Sequence, residues 1–440
     1  MSTQTVQPQE GYLEAFAEFE RDAATGPSWL TPLRKAAISR FREVGFPTRH
    51  NEEWRFTNPA VMVETNFRPA KPGRSAAVTA AEIAPFTFPE MGTTTLVFID
   101  GSYVPALSSR GTLPQGVTVS SLAEAFAAHH PAIEPHLARY AKFDTAFPAL
   151  NTAFLSDGAF VHIPRSVVVT EPIHLLFVST ASATPMVSYP RTLIVAEENS
   201  LATVVESYAG IGDEVSLTNA VTEIVVAQDA NLDHYKLNRE SRAAYHVATM
   251  EVQMAKQSVF SSHSINLGGL FVRNDANALL GAEYAECTLN GLSLVDGKRL
   301  VDNHTAIDHA LPNCNSHELY KYIMDDQSRG VFNGKIYVRE DAQKTDAKQT
   351  NQTLLLSADA QINTKPQLEI FADDVKCTHG ATIGQLDPEQ QFYLQTRGIP
   401  KDDARDLLIY AFAGDVISRI KVAALREALD AILLDQLPQR

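Results

Sequence analysis

A chain of 440 residues, 45% hydrophobic and 20% charged, has the composition of a globular protein, which excludes wholesale disorder and collagen-like structure. Its formal net charge of −15 repels phosphate backbones and anionic lipid headgroups, so neither nucleic acid nor a membrane surface is an expected partner. The most apolar stretches, 172–178 and 193–196, fall far short of the roughly twenty residues that cross a bilayer, and an acidic start reads as no export signal. Three widely spaced cysteines, Cys287, Cys314 and Cys377, argue against a disulfide framework and for a reducing, cytoplasmic setting.

Over 10–50 the apolar spacing predicts helices, one striped by Leu13, Phe16, Ala17 and Phe19, another by Leu33, Ala37, Ile38 and Phe41. Gly26-Pro27 and Gly45-Phe46-Pro47 punctuate them. Residues 67–94, rich in Pro, Ala, Thr and Gly, read as an irregular connector, followed by a short strand over 96–99 and a turn at Asp100-Gly101. A helix over 122–137, broken at Pro131 and Pro135, completes a mostly helical N-terminal region spanning 1–150.

From Phe154 onward the period changes to short β-type runs. Apolar strands lead repeatedly into a corner of one acidic or amide residue beside a small one: Asn199-Ser200, Asp229-Ala230, Gln257-Ser258, Asp341-Ala342 and Asp359-Ala360. The spacing, roughly 18 to 30 residues, lies in the range of stacked solenoid coils, which share a core that no single coil can bury alone. A pair of β-sandwich domains built from the same strands is the competing architecture on pattern alone. The β core spans 151–385. Helical spacing returns over 386–440, where Leu408, Phe412, Val416 and Ile420 form an apolar side suited either to docking a partner or to capping the end of the solenoid.

No phosphate-binding Gly-rich loop, nucleophile elbow or zinc-protease motif occurs, so nucleotide hydrolysis must come from a partner and enzymatic function has little direct support. The sharpest local feature is Cys377-Thr378-His379: alternate strand residues share a face, and thiolate and imidazole are both good ligands for iron or zinc. Two ligands do not make a site, and a buried thiol beside a hydrogen-bonded imidazole is the bland reading. His304, Asp308, His309, Cys314 and His317 gather five potential ligands within a short span, although their spacing matches no closed zinc motif. Glu369, Asp373 and Asp374 raise the alternative of a β-helix enzyme with paired carboxylates acting on polysaccharides. Cys287 reads as an ordinary buried strand cysteine.

Phe332-Asn333-Gly334-Lys335-Ile336, Asp341-Ala342-Gln343-Lys344-Thr345-Asp346-Ala347, Gln349-Thr350-Asn351, Pro366-Gln367-Leu368-Glu369-Ile370, Asp373-Asp374-Val375-Lys376-Cys377, His379-Gly380-Ala381-Thr382 and Arg397-Gly398-Ile399-Pro400 together resemble the shared signature of the SufB/SufD family of iron-sulfur cluster assembly proteins. Glu52-Glu53-Trp54-Arg55-Phe56-Thr57 resembles the same family's N-terminal segment. The absence of cysteine before Cys287, the Cys377-Thr378-His379-Gly380-Ala381 sequence and the length resemble its SufD branch more than its SufB branch. The resemblance implies a mainly β fold, a right-handed parallel β-helix core flanked by N-terminal and C-terminal helical regions. It implies pairing with a SufB-like subunit through the β-helix and with a SufC-like ATPase through the C-terminal helices, a homodimer with the ATPase being the close alternative. The chain would then be a non-catalytic scaffold, with His379 and Cys377 at the partner interface, aiding iron delivery or nascent-cluster formation. Iron or an iron-sulfur cluster would be held transiently, and a flavin, which no motif here predicts, would belong to the assembled complex.

Overall fold

In the computed structural model, which describes residues 8–22, 26–70 and 78–436, the β-rich middle winds into a parallel solenoid of two facing sheets. One sheet stacks Gly158–Ile163, Arg191–Ala196, Ser216–Val226, Tyr245–Met254, Phe271–Leu280, Leu300–His309, Arg329–Val338 and Gln361–Ile370. The other stacks Ile173–Thr180, Leu201–Ile211, Asn231–Arg239, Val259–Asn266, Glu286–Val295, Asn315–Met324, Asp346–Leu355 and Lys376–Gly384. The mainly β, solenoid expectation holds and the sandwich alternative does not. Coils are longer than much of the expected range: Tyr245 lies beside Phe271 and Gly158 beside Arg191. The shorter spacings in the sequence came from reading two strands of one coil as successive repeats, as with Ile336 and Leu354, which belong to opposite sheets.

The corners explain the small-residue pattern. Asn199, Asp229 and Gln257 adopt left-handed φ values of 56°, 58° and 56°, a conformation that amide and acidic side chains tolerate well. Each then donates its backbone N–H to the next coil, at Gln228, Lys256 and Glu283 carbonyls, 2.9 to 3.0 Å away. The residues that follow them, Ser200, Ala230 and Ser258, and likewise Ala285 and Cys314 after the left-handed Tyr284 and Asn313, are buried inside the corner, where only a small side chain fits. Tyr284 and Lys344 take the same φ without the expected residue type. At these corners the stacked backbone overrides local preference.

Inward-facing Leu96, Val161, Ile194, Leu232, Phe260, Val301 and Phe332 fill the space between the sheets. The strand Thr94–Ile99 is not an isolated element: it pairs in parallel with Ile173–Thr180 and extends the second sheet. Helices Pro8–Asp22, Leu30–Val44 and Ala146–Ala153 cover the outer face of the first sheet, with Tyr12, Phe16, Phe41 and Phe147 against Val187, Leu217, Tyr245 and Phe271. Leu13, Phe16 and Phe19 of the expected stripe pack on this face together with Tyr12, whereas Ala17 is exposed. The expected helix over 122–137 is two short helices, Leu122–Ala127 and Ile133–His136. The connector is described in part, its residues 71–77 lying outside the described residues.

The C-terminal helices do not cap the solenoid. Lys401–Ile417 and Ala423–Gln436 lie along the outer face of the second sheet, burying Ile409, Ala413, Val416 and Leu425 against Tyr235, Leu237, Leu292 and Leu319. Lys321 fastens them, with its ammonium 2.8 Å from Asp415 and 4.4 Å from the centroid of the Phe412 ring. That flank is where outward apolar side chains from six strands of the sheet needed cover. The last coil is therefore left open.

Candidate functional site

Gln361–Ile370 and Lys376–Gly384 are the terminal strands of their sheets, each paired on one side only. Cys377 lies beside Ala347, and His379 beside Gln349, both on the inward side of the sheet. In earlier coils that side is core: Ala347 is fully buried and Gln349 is 1% exposed. Because no coil follows, the same positions open to solvent, leaving His379 exposed and Cys377 half-buried. Two residues of strand separate their Cα atoms by about 6.5 to 7 Å. Partial burial pushes the Cys377 thiol above its usual range, so in the free chain it is protonated at neutral pH. A bound metal ion reverses this by stabilising the thiolate.

The second cluster from the sequence does not assemble into a site. His309 is buried, its Nε2 2.9 Å from the Ser316 hydroxyl, and burial pushes its pKa down to about 4. Asp308 receives Arg339 at 2.7 Å, the Cys314 thiol donates to the Ala282 carbonyl at 3.1 Å, and His317 faces solvent. His304 points out of the opposite sheet toward the N-terminal region. Burial alone would lower its pKa, but Asp302, 3.1 Å away, raises it to about 9. Asp302 also accepts from Arg273 at 2.7 Å and from Thr57 at 2.5 Å, while Arg273 donates to the Glu53 carbonyl at 2.8 Å. This bracket ties the Glu53 segment onto the first sheet. Among the described residues, no group of three or more His, Cys, Asp and Glu side chains is arranged to hold a metal ion.

Nor do the acidic residues form a catalytic pair. Glu369 is 2.7 Å from Lys335, and Asp374 pairs with Lys344. Cys287 is in the core, its thiol pushed far up by burial, as its sequence context suggested. Sequence reasoning overlooked Glu318 and Gln349, buried directly behind His379. The only available signal was parity along the strand, since Gln349 stands in the stretch singled out above.

Residues 6–175 match the family described as SufBD protein N-terminal region, and residues 177–412 match the SUF system FeS cluster assembly SufBD core domain. The chain belongs to the SufBD family of iron-sulfur cluster assembly proteins. A SufBD family protein of Synechocystis is 35% identical over 95% of this chain and 93% of that protein. The iron-sulfur cluster assembly protein SufD of Escherichia coli is 33% identical over 93% of each chain. Its Bacillus subtilis namesake is 26% identical over 96% of each. The polysaccharide-enzyme alternative falls with this assignment. Among the described residues of this SufBD chain, no helix is long and apolar enough to cross a membrane.

Within the SufBD core, a second exposed feature adjoins the open coil. Helix Pro388–Thr396, capped by the Asp387 carboxylate accepting from the Glu389 N–H at 2.8 Å, stands against Lys401–Ile417. Between them lies a groove of about 950 Å³ lined by Phe392, Tyr393, Leu394, Leu407, Leu408 and Ala411. Phe392 and Leu407 are largely exposed there. Large apolar side chains are thus left open on the outer side of this helix pair.

Proposed function

We propose that this chain is the SufD-type, non-catalytic subunit of a cytoplasmic iron-sulfur assembly complex, presenting His379 and Cys377 to a SufB-like subunit. The observation that carries this reading is their position on the inward face of a terminal coil that has no neighbour. A parallel edge with unpaired N–H and C=O groups is a template for another chain, and a second solenoid end continues both sheets. Imidazole and thiolate suit iron. Tetrahedral sites take four protein or sulfide ligands, so with two donors from this chain the partner face must supply the rest.

The open groove between the C-terminal helices is the docking surface for a SufC-like ATPase in this reading. The regions 1–150, 151–385 and 386–440 then serve as cover, scaffold and docking arm. ATP-driven approach of the ATPase subunits would pull on the C-terminal helices and, through the flank they cover, open the joint at the solenoid ends. Three free cysteines suit the reducing compartment this chemistry needs.

The test is His379→Ala in the assembled complex. Complex mass is expected to be unchanged, because the imidazole is exposed and removes no core contact, whereas cluster yield in the cell falls. Unchanged cluster yield would sink the role assigned to this site.

A further inference from the structure

Behind His379 runs a column of inward-facing side chains, one per coil. Glu318 lies beside Gln349, and Gln349 beside His379. Glu318 and Gln349 are 3% and 1% exposed. The Gln349 amide donates from Nε2 to Glu318 Oε2 at 2.7 Å. Its other end, Oε1, is buried and has no hydrogen-bond partner. An ionised carboxylate, the form Glu318 takes at mildly alkaline pH, only accepts, so it turns the amide nitrogen toward itself and the carbonyl oxygen away. Across the interior, Gly334 makes room for this arrangement: a Cβ there would sit 2.4 Å from Gln349 Nε2.

We propose that Glu318 and Gln349 are positioning residues for His379, the oriented amide accepting one ring N–H so that the other ring nitrogen faces the open mouth of the solenoid. The inference rests on the interface role given to His379 above. Three facts converge on it: a fixed amide orientation, a buried acceptor without a donor, and an imidazole on the adjacent coil at the same inward position. Stacked strands lie about 4.8 Å apart, within the reach of both side chains. Imidazoles that ligate metals almost always donate their second ring N–H to a carbonyl or carboxylate, which selects the tautomer and strengthens the ligand. A solvated imidazole has no such constraint.

The experiment is ring nitrogen NMR of the full-length chain labelled at histidine, at pH 8, with the His379 signals assigned by their loss in His379→Gln. In the unsubstituted protein His379 is expected in one dominant neutral tautomer. Gln349→Leu should return it to the mixture of a solvated imidazole, and Gln349→Glu, which keeps an acceptor, should restore the single tautomer. Glu318→Gln, nearly isosteric, frees the amide to turn over and should weaken the bias, providing a readout even if the leucine variant does not fold. A solvated-type mixture in the unsubstituted protein, or a tautomer unmoved by Gln349→Leu or by Glu318→Gln, overturns the proposal. The readout needs no cluster, so it is separate from the yield test: a Gln349-dependent tautomer with normal yield in His379→Ala upholds the positioning and refutes only the interface role.

Discussion

Replacing Asp302 with Asn tests the bracket that holds the N-terminal region on the solenoid. The carboxylate is fully buried. Burial would raise its pKa, yet Arg273 and His304 lower it to about 2 from the ordinary 3.8. At about 1.4 kcal/mol per unit, this difference corresponds to roughly 2.5 kcal/mol of stabilisation at neutral pH. Removing one member of a buried pair costs about 3–5 kcal/mol when its partner is left unpaired. Arg273 retains Asp275 at 2.6 Å, which favours the smaller figure. Trp54, buried and stacked on Phe147 with ring centroids 5.4 Å apart, keeps the segment attached. The substitution should therefore promote local opening without global unfolding. Reporters are the Trp54 and Thr57 amides, which donate to Asn51 and Trp54 carbonyls at 2.9 and 3.1 Å. Their hydrogen-exchange protection at pH 7 should fall roughly 60-fold in Asp302→Asn, the factor that 2.5 kcal/mol predicts. In the unsubstituted protein the raised His304 pKa adds stability that is full below about pH 6.5 and is lost as pH rises through 9. Asp302→Asn should flatten that dependence. Protection unchanged within threefold, with the pH dependence intact, would refute the electrostatic account.

Glu223 is fully buried, receives Arg191 at 2.6 Å and the N–H groups of Ala138, Tyr140 and Ala141 at 2.7, 2.8 and 3.0 Å. Glu223→Ala should destabilise the protein by about 3–5 kcal/mol and loosen the N-terminal cover, measured by thermal unfolding and limited proteolysis. In Gly291→Ala the added carbon would meet the Tyr320 ring at 2.3 Å, so a loss of about 1–3 kcal/mol is expected in denaturant unfolding. Burial pushes the Glu318 carboxyl up to about 7, so the folded state binds its proton more tightly than the unfolded state does. Stability should therefore decline between about pH 4.5 and 7 on this account, and Glu318→Gln should remove that slope in unfolding midpoints measured across the range.

Much of the molecule was legible in the sequence because its signals are local. Short apolar runs and corners with small residues announced the solenoid. Asn199-Ser200 and Asp229-Ala230 carry their left-handed turn and buried corner in adjacent residues. Cys377 and His379 share a face because a strand alternates with period two, which needs no tertiary information. The cluster from His304 to His317, whose spacing matched no closed zinc motif, shows the limit of such signals: proximity in sequence placed five potential ligands together, whereas two strands and an intervening corner send them to different surroundings.

What only the tertiary structure decided is the stacking. Coil length follows from how two strands and two corners close, so the spacing of apolar runs did not yield it. The amphipathic C-terminal helices advertised an apolar side, but nothing in them distinguishes the flank of a sheet from the end of a solenoid. Glu318, Gln349 and His379 stand about 30 residues apart, each unremarkable in its own strand. Parallel register between coils brings them into one column, and the absence of a further coil leaves the last of them exposed. Register is set by backbone hydrogen bonds between distant segments, and that information lies in the fold rather than in any single stretch of sequence.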